Sequence, residues 1–272
     1  MTLTKKGIKT GINAIRKKAA KLFCNGKYSE AMHYLDVCSN IASQFNLDYA
    51  DFEIEYLYKQ ISEKTVKQSS DFEPNPDNWV LYDDFCTTYV LGLQWLEAMA
   101  LSGKKILYVT TRNVNEESRH KNILDRVAEY ENVTVSIIPQ GNVFERAQAL
   151  YDALVWFKAS KLVMHKRPVM SVMDLVLPIL PKGMVSYVIN LSDQTFWLGA
   201  KYIDYCLEFR QFGASVSLQR RGLKREQLLM VPFYPADDRN EFGGFPPECT
   251  EDKTIIFSGG DFYKTLDDKR VY

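Results

Sequence analysis

Between residues 79 and 231 the chain repeats one rhythm: a short aliphatic or β-branched run, then a longer stretch at helical spacing. The short runs fall at 79–82, 105–110, 133–138, 161–165, 185–189, 205–209 and 228–231. Between them lie a helical stretch ending at Ser102-Gly103, a charged helix at 116–129, a further helix at 143–157, and an apolar segment at 169–180 set between Pro168 and Pro181. Strands that are apolar on both faces must be covered on both faces, and strands joined through helices run parallel. This pattern leaves little room for any other class.

The expected fold is therefore α/β, a Rossmann-like, mainly parallel sheet with helices on both faces, preceded by a small helical segment. The domains expected are a helical preface at 1–66, a linker at 67–78 rich in Ser, Pro and Asp, and the sheet domain at 79–250. At 251–272 a strand ends in Ser258-Gly259-Gly260. A glycine turn after a strand offers backbone N–H groups to a phosphate. With too few residues to close a core of its own, this segment reads as the start of a second domain.

The preface divides by charge. Residues 1–27 hold eight lysines and arginines and no acid, whereas 28–63 hold seven acids against Lys59 alone. Ile8, Ile12, Ile15, Ala19, Leu22 and Phe23 form one apolar stripe. Asn25-Gly26 ends that helix, and two more are expected at 28–43 and 51–62. The Gly26–Leu35 region (26–35) resembles the turn and second helix of a tetratricopeptide repeat, but a lone hairpin cannot build a solenoid. The basic helix suits packing on its acidic neighbours, and equally a peripheral contact with an anionic membrane.

Composition removes several classes. The formal net charge is zero, which gives no argument for nucleic acid as a partner. The five cysteines are scattered without CxxC spacing, so neither a disulfide framework nor a zinc pattern is expected, and a reducing cytoplasm is the default. No apolar run is long enough to span a membrane. The first strand–helix turn, Asp83-Asp84-Phe85-Cys86, lacks the glycines of a dinucleotide site. Asp83-Asp84 also fits a receiver domain, but 139–140 and 190–191 hold no phospho-accepting Asp and no Lys. No cofactor and no metal is called for.

Ligands of such sheets sit beyond the carboxyl ends of the strands. The residues placed there are Asp83 and Asp84, Thr110 to Asn113, Gln140 to Asn142, His165 to Arg167, Asn190 to Gln194 (Asp193 among them), and Arg210. Asp84 fits a helix cap as well as a ligand group. His165, followed by Lys166 and Arg167, fits a general base, an anion holder or a plain loop residue. His33 and His120 fall on helical stretches.

The run Asp193-Gln194-Thr195-Phe196-Trp197-Leu198-Gly199, standing before Arg221-Gly222, Val231-Pro232 and the Ser258-Gly259-Gly260 turn, resembles bacterial glycosyltransferases of the GT-B architecture. The resemblance covers roughly 78–266. It implies an N-terminal acceptor-side domain, a nucleotide-sugar donor, a glycan or other acceptor, and polysaccharide biosynthesis. It assigns catalysis to Asp193 and His165, acceptor binding to Asp83, Asp84, Asn190, Gln194 and Arg210, and donor binding to Ser258, Gly259, Gly260 and Lys264. Relatives carry histidine near the positions of Leu191 and Gln194, which this chain lacks. The alternative for the run is that Phe196, Trp197 and Leu198 are core and Asp193 caps a helix. Two other functions are open: a non-catalytic glycan- or protein-binding module, and a sugar-nucleotide epimerase. On the transferase reading, the 272 residues alone are expected to be inactive.

Overall fold

The computed structural model describes residues 4–86, 90–113 and 118–232, together with Thr254. Three helices open the chain: α1 (Lys5–Cys24), α2 (Tyr28–Phe45) and α3 (Phe52–Thr65). Thr4 caps α1 by accepting from Gly7 N at 3.1 Å. Asp51 caps α3 and also takes Arg16 of α1 at 2.7 Å, so one carboxylate starts a helix and ties two helices together. The isoleucine stripe of α1 is spent on packing: Ile12, Ala19 and Leu22 are buried, and Ile8, Ile15 and Phe23 pack against the same core.

Seven strands follow: β1 (Asn75–Asp83), β2 (Lys105–Thr110), β3 (Val133–Ile137), β4 (Ala159–His165), β5 (Val185–Ile189), β6 (Tyr205–Glu208) and β7 (Leu228–Met230). The helices between them are α4 (Val90–Ala100), α5 (Ser118–Val127), α6 (Val143–Trp156), α7 (Ser171–Val176) and α8 (Gln211–Arg220). The strands pair in the order β3-β2-β1-β4-β5-β6-β7, and every pairing is parallel.

Alternation along the strands explains the two faces. Val80, Tyr82, Leu107, Val109, Leu162 and Met164 point into one core with α1–α3, α6 and α7. Leu81, Ile106, Tyr108 and Val163 point into the other, with Leu96 and Met99 of α4 and Ile123 and Val127 of α5. The helical preface therefore shares a core with one face of the sheet. Residues 1–234 form one compact unit.

β1 begins at Asn75, inside the stretch expected to be linker. Its register against β4 shifts between Asn75 and Trp79, an irregularity that accommodates Pro76, which has no N–H to offer the ladder. Among the described residues no helix is long and apolar enough to cross a membrane.

Candidate functional site

The chain winds from β1 out to β3 and then returns to place β4 on the other side of β1. At that switch point neighbouring connections leave the sheet in opposite directions, which is where open α/β sheets place their ligands. Parallel pairing sets Asp83, the last residue of β1, opposite His165, the last of β4. Asp83 Oδ1 lies 2.8 Å from His165 Nδ1. Phe85 N donates to the same oxygen at 3.0 Å, and the Tyr108 hydroxyl donates to Oδ2 at 2.7 Å. Asp83 is fully buried and His165 nearly so.

A carboxylate only accepts, so Nδ1 is the nitrogen that carries hydrogen and Nε2 is the one left to accept. Phe85 covers the imidazole, with ring centroids 4.7 Å apart. Gly92 of α4 completes the enclosure: a Cβ there would lie 3.3 Å from His165 Cε1 and 3.4 Å from Nδ1. Burial and the neighbouring Asp83 carboxylate hold the Tyr108 hydroxyl well above its usual pKa, which keeps it a donor.

Asp84 points elsewhere. Its carboxylate is wholly buried and takes Arg167 Nε at 2.5 Å, while its carbonyl takes Arg112 Nε at 2.6 Å. Both arginines are about one-third to one-half exposed, so the rim carries two guanidinium groups fixed from below. Phe85 and Cys86 are not helical, so Asp84 does not cap a helix that starts directly after it and instead serves this pair. Lys166 turns inward to Asp174 at 3.0 Å, with both side chains 2% exposed. Burial raises the Asp174 carboxyl to about 6, against the pull of Lys166 and of Met170 N.

A second group lies beyond β5 and β6. Arg210 grips Asp193 through Nε at 2.5 Å and Nη2 at 3.1 Å. Asn190 Nδ2 donates to Glu208 Oε2 at 2.8 Å, and Glu208 Oε1 accepts from Ser217 Oγ at 2.5 Å. Gly213 is required beneath them, since a Cβ there would stand 2.4 Å from Glu208 Oε2. Arg221 is completely buried and donates from Nη2 to the carbonyls of Ser192, Asp193 and Thr195. Its guanidinium sits 5.1 Å from the Trp197 ring centroid.

The Phe196-Trp197-Leu198 run is core, all three side chains being at most 5% exposed. The preface holds this loop. Asn46, in left-handed conformation at the end of α2, accepts from Phe196 N and donates to the Gln194 carbonyl, both at 2.6 Å. Glu55 of α3 accepts from the backbone N–H groups of Gly199, Ala200 and Lys201 at 3.0, 3.2 and 2.9 Å. Burial raises the Glu55 carboxyl to about 7, against the Lys201 and Gly199 N–H donors.

Of the residues predicted from sequence, the fold joins Asp83 to His165, Asp84 to Arg167, Asp193 to Arg210 and Asn190 to Glu208. It does not join Asp193 to His165: the acid beside the imidazole is Asp83, which the resemblance assigned to acceptor binding. Gln194 is exposed and takes part through its carbonyl. Ser258, Gly259, Gly260 and Lys264 lie outside the described residues. Sequence reasoning missed Tyr108, Glu208, Arg221, Asn46 and Glu55. Glu208 left a signal, a carboxylate at the end of the apolar run Tyr205-Cys206-Leu207. So did Glu55, which shares a helix face with Tyr58 and Ser62.

No cluster of three potential metal ligands occurs among the described residues. No protein-family description matches the chain, and no curated protein does.

Proposed function

We propose that this domain binds the acceptor in a sugar transfer from a nucleotide-sugar donor, with His165 as the base. The observation that carries the reading is the Asp83–His165 pair, buried at the switch point with Nδ1 committed at 2.8 Å. Nε2 takes the proton of the acceptor hydroxyl as that oxygen bonds to the anomeric carbon. The bond from that carbon to the nucleotide diphosphate breaks, and the diphosphate leaves with the electron pair. Asp83 is a positioning residue that fixes the tautomer and supports the imidazolium as it forms. Arg167 and Arg112, held by Asp84, supply positive charge at the rim for the leaving group.

The test uses the protein as its gene encodes it, with a panel of nucleotide sugars and simple glycoside acceptors. His165→Gln is expected to lower transfer by about 100-fold or more, the usual contribution of a positioned base. Asp83→Asn is expected to lower it at every pH, by presenting the wrong tautomer. Full transfer by H165Q, or no transfer by the wild-type protein from any donor, overturns the proposal. A binding module without catalysis is the second reading. It is favoured by the internal pairing of Asp84 and Asp193, which leaves both acids engaged within the domain. Glycan capture with no turnover would select it.

A further inference from the structure

On α3, Phe52 and Tyr56 stand one turn apart and remain 46% and 49% exposed. Both line a groove of about 510 Å³ between α1 and α3, together with Ala20 and the buried Leu57. Three cations line the same groove, Arg16, Lys17 and Lys201, against one acid, Glu53. Arg16 already holds Glu53 and Asp51. Lys17 and Lys201 form no ion pair among the described residues, and α1 contributes no acid along its length. Lys201 Nζ lies 5.7 Å from the Tyr56 ring centroid, so apolar surface and uncommitted charge meet at one place. Both sides of the groove are held from beneath. Lys201 donates its backbone N–H to Glu55 at 2.9 Å, and Phe52 lies against Gly222, where a Cβ would stand 3.1 Å from the Phe52 Cζ. Singly exposed aromatics are ordinary, but a pair grouped along a groove has the composition of an interface.

We infer that this groove docks an acidic, amphipathic peptide segment of a partner protein. Its apolar side chains seat against Phe52 and Tyr56, and its carboxylates face Lys17 and Lys201. The charge balance selects this occupant. A neutral ligand would leave both ammonium groups unanswered, and a basic one would meet like charge. A small inorganic anion would satisfy the lysines but leave the aromatic surface in water. An acidic helix laid between α1 and α3, with leucines on one face, answers both.

The test is fluorescence anisotropy of the full chain with labelled synthetic peptides. The first is built of Glu, Ala and Leu, with leucines at helical spacing. The second replaces Glu by Lys, the third replaces Leu by Ser, and vesicles of phosphatidylglycerol form a separate arm. The first peptide is expected to bind saturably, and more weakly as salt is raised. Lys17→Glu and Lys201→Glu are each expected to weaken it about three- to tenfold, the scale of an exposed ion pair reversed in sign. Tyr56→Ser is expected to weaken it about five- to thirtyfold, as for an aromatic anchor. All three side chains are exposed, so the thermal midpoint without peptide is expected to stay where it is. The inference is overturned if the acidic peptide does not bind, or if the lysine or serine version binds as well. It is equally overturned if Y56S and K17E bind like wild type, or if Tyr56-dependent binding occurs only with vesicles. No readout here involves sugar transfer, so the result stands apart from the acceptor-site reading.

Discussion

Arg221 is the largest fully buried side chain of the domain, and replacing it with methionine tests how the β5–β6 loop is held. Methionine keeps most of the apolar stem and deletes the guanidinium. The carbonyls of Ser192, Asp193 and Thr195 then lose donors at 3.1, 2.9 and 2.7 Å, and Ser217 Oγ loses one at 3.1 Å. Nη2 shares its two N–H groups among the three carbonyls and Nη1 supplies the third donor, so at about 1.5–3 kcal/mol for each charged donor the gross loss is about 4.5–9 kcal/mol. Two terms offset it. The guanidinium no longer has to be desolvated, a cost visible in its lowered pKa and of order several kcal/mol. Ser192 and Thr195 are only half-buried, so water can reach that end of the loop. The net destabilisation is expected to be about 3–5 kcal/mol, which is a midpoint lower by roughly 10 °C for a domain of this size. Urea unfolding followed by tryptophan fluorescence measures it, and Trp197, lying against the guanidinium, reports locally. Arg221→Lys should recover only part of the loss, because an ammonium on a shorter stem cannot fork across the loop. A loss below about 1 kcal/mol in R221M, or full recovery in R221K, would refute the account of this side chain as the tie that shapes the loop.

The remaining expectations concern separate contacts. Glu55 has a folded pKa of about 7 against an ordinary 4.5. Between those values the folded chain keeps a proton that the unfolded chain releases, so this group lowers stability as pH rises, by up to about 1.4 kcal/mol per pH unit. Glu55→Gln should remove that slope; a wild-type-minus-mutant difference that stays flat or rises from pH 4.5 to 7 contradicts it. Gly92→Ala places a methyl 3.3 Å from His165 Cε1 within α4. Helix propensity favours the change by about 1 kcal/mol, so the melting temperature should hold or rise, while on the proposed transferase reading transfer should drop about tenfold; unchanged kinetics would show that the imidazole has room. Lys166→Met strands the buried Asp174 carboxylate and should cost about 3–5 kcal/mol. Adding Asp174→Leu should restore most of it, and a double mutant no better than the single one would sink that reasoning.

How much of this was legible from sequence depends on range. Runs such as Val185–Ile189 announce strands because β-branched residues suit an extended backbone buried on both sides. Strand order carries no such local mark. The pairing of Asp83 with His165 exists only because β4 lies beside β1, and 82 residues separate them. The two were placed at strand ends but given different roles, since position along a strand says nothing of which strand is adjacent. Asn75 to Asn78 read as linker because Asn, Pro and Asp disfavour strands, and an irregular register absorbed them. Arg221 stood in a basic dipeptide that looks like surface, and Asn46 in a polar stretch after a helix. Their roles come from carbonyls and N–H groups tens to well over a hundred residues away.

The bonds from Asn46 and Glu55 into the stretch from Gln194 to Lys201 bear on the autonomy of the sheet. A chain begun at residue 67 would retain all seven strands, yet its loop beyond β5 would lose the five hydrogen bonds that Asn46 and Glu55 make to it. One face of its sheet would also be stripped of α1–α3. The N-terminal helices thus act as the abutment of the loop. Anything that docks on them and shifts α2 or α3 pulls directly on the backbone that carries Asp193 and Trp197, so the loop and the surface of the helices are mechanically one object.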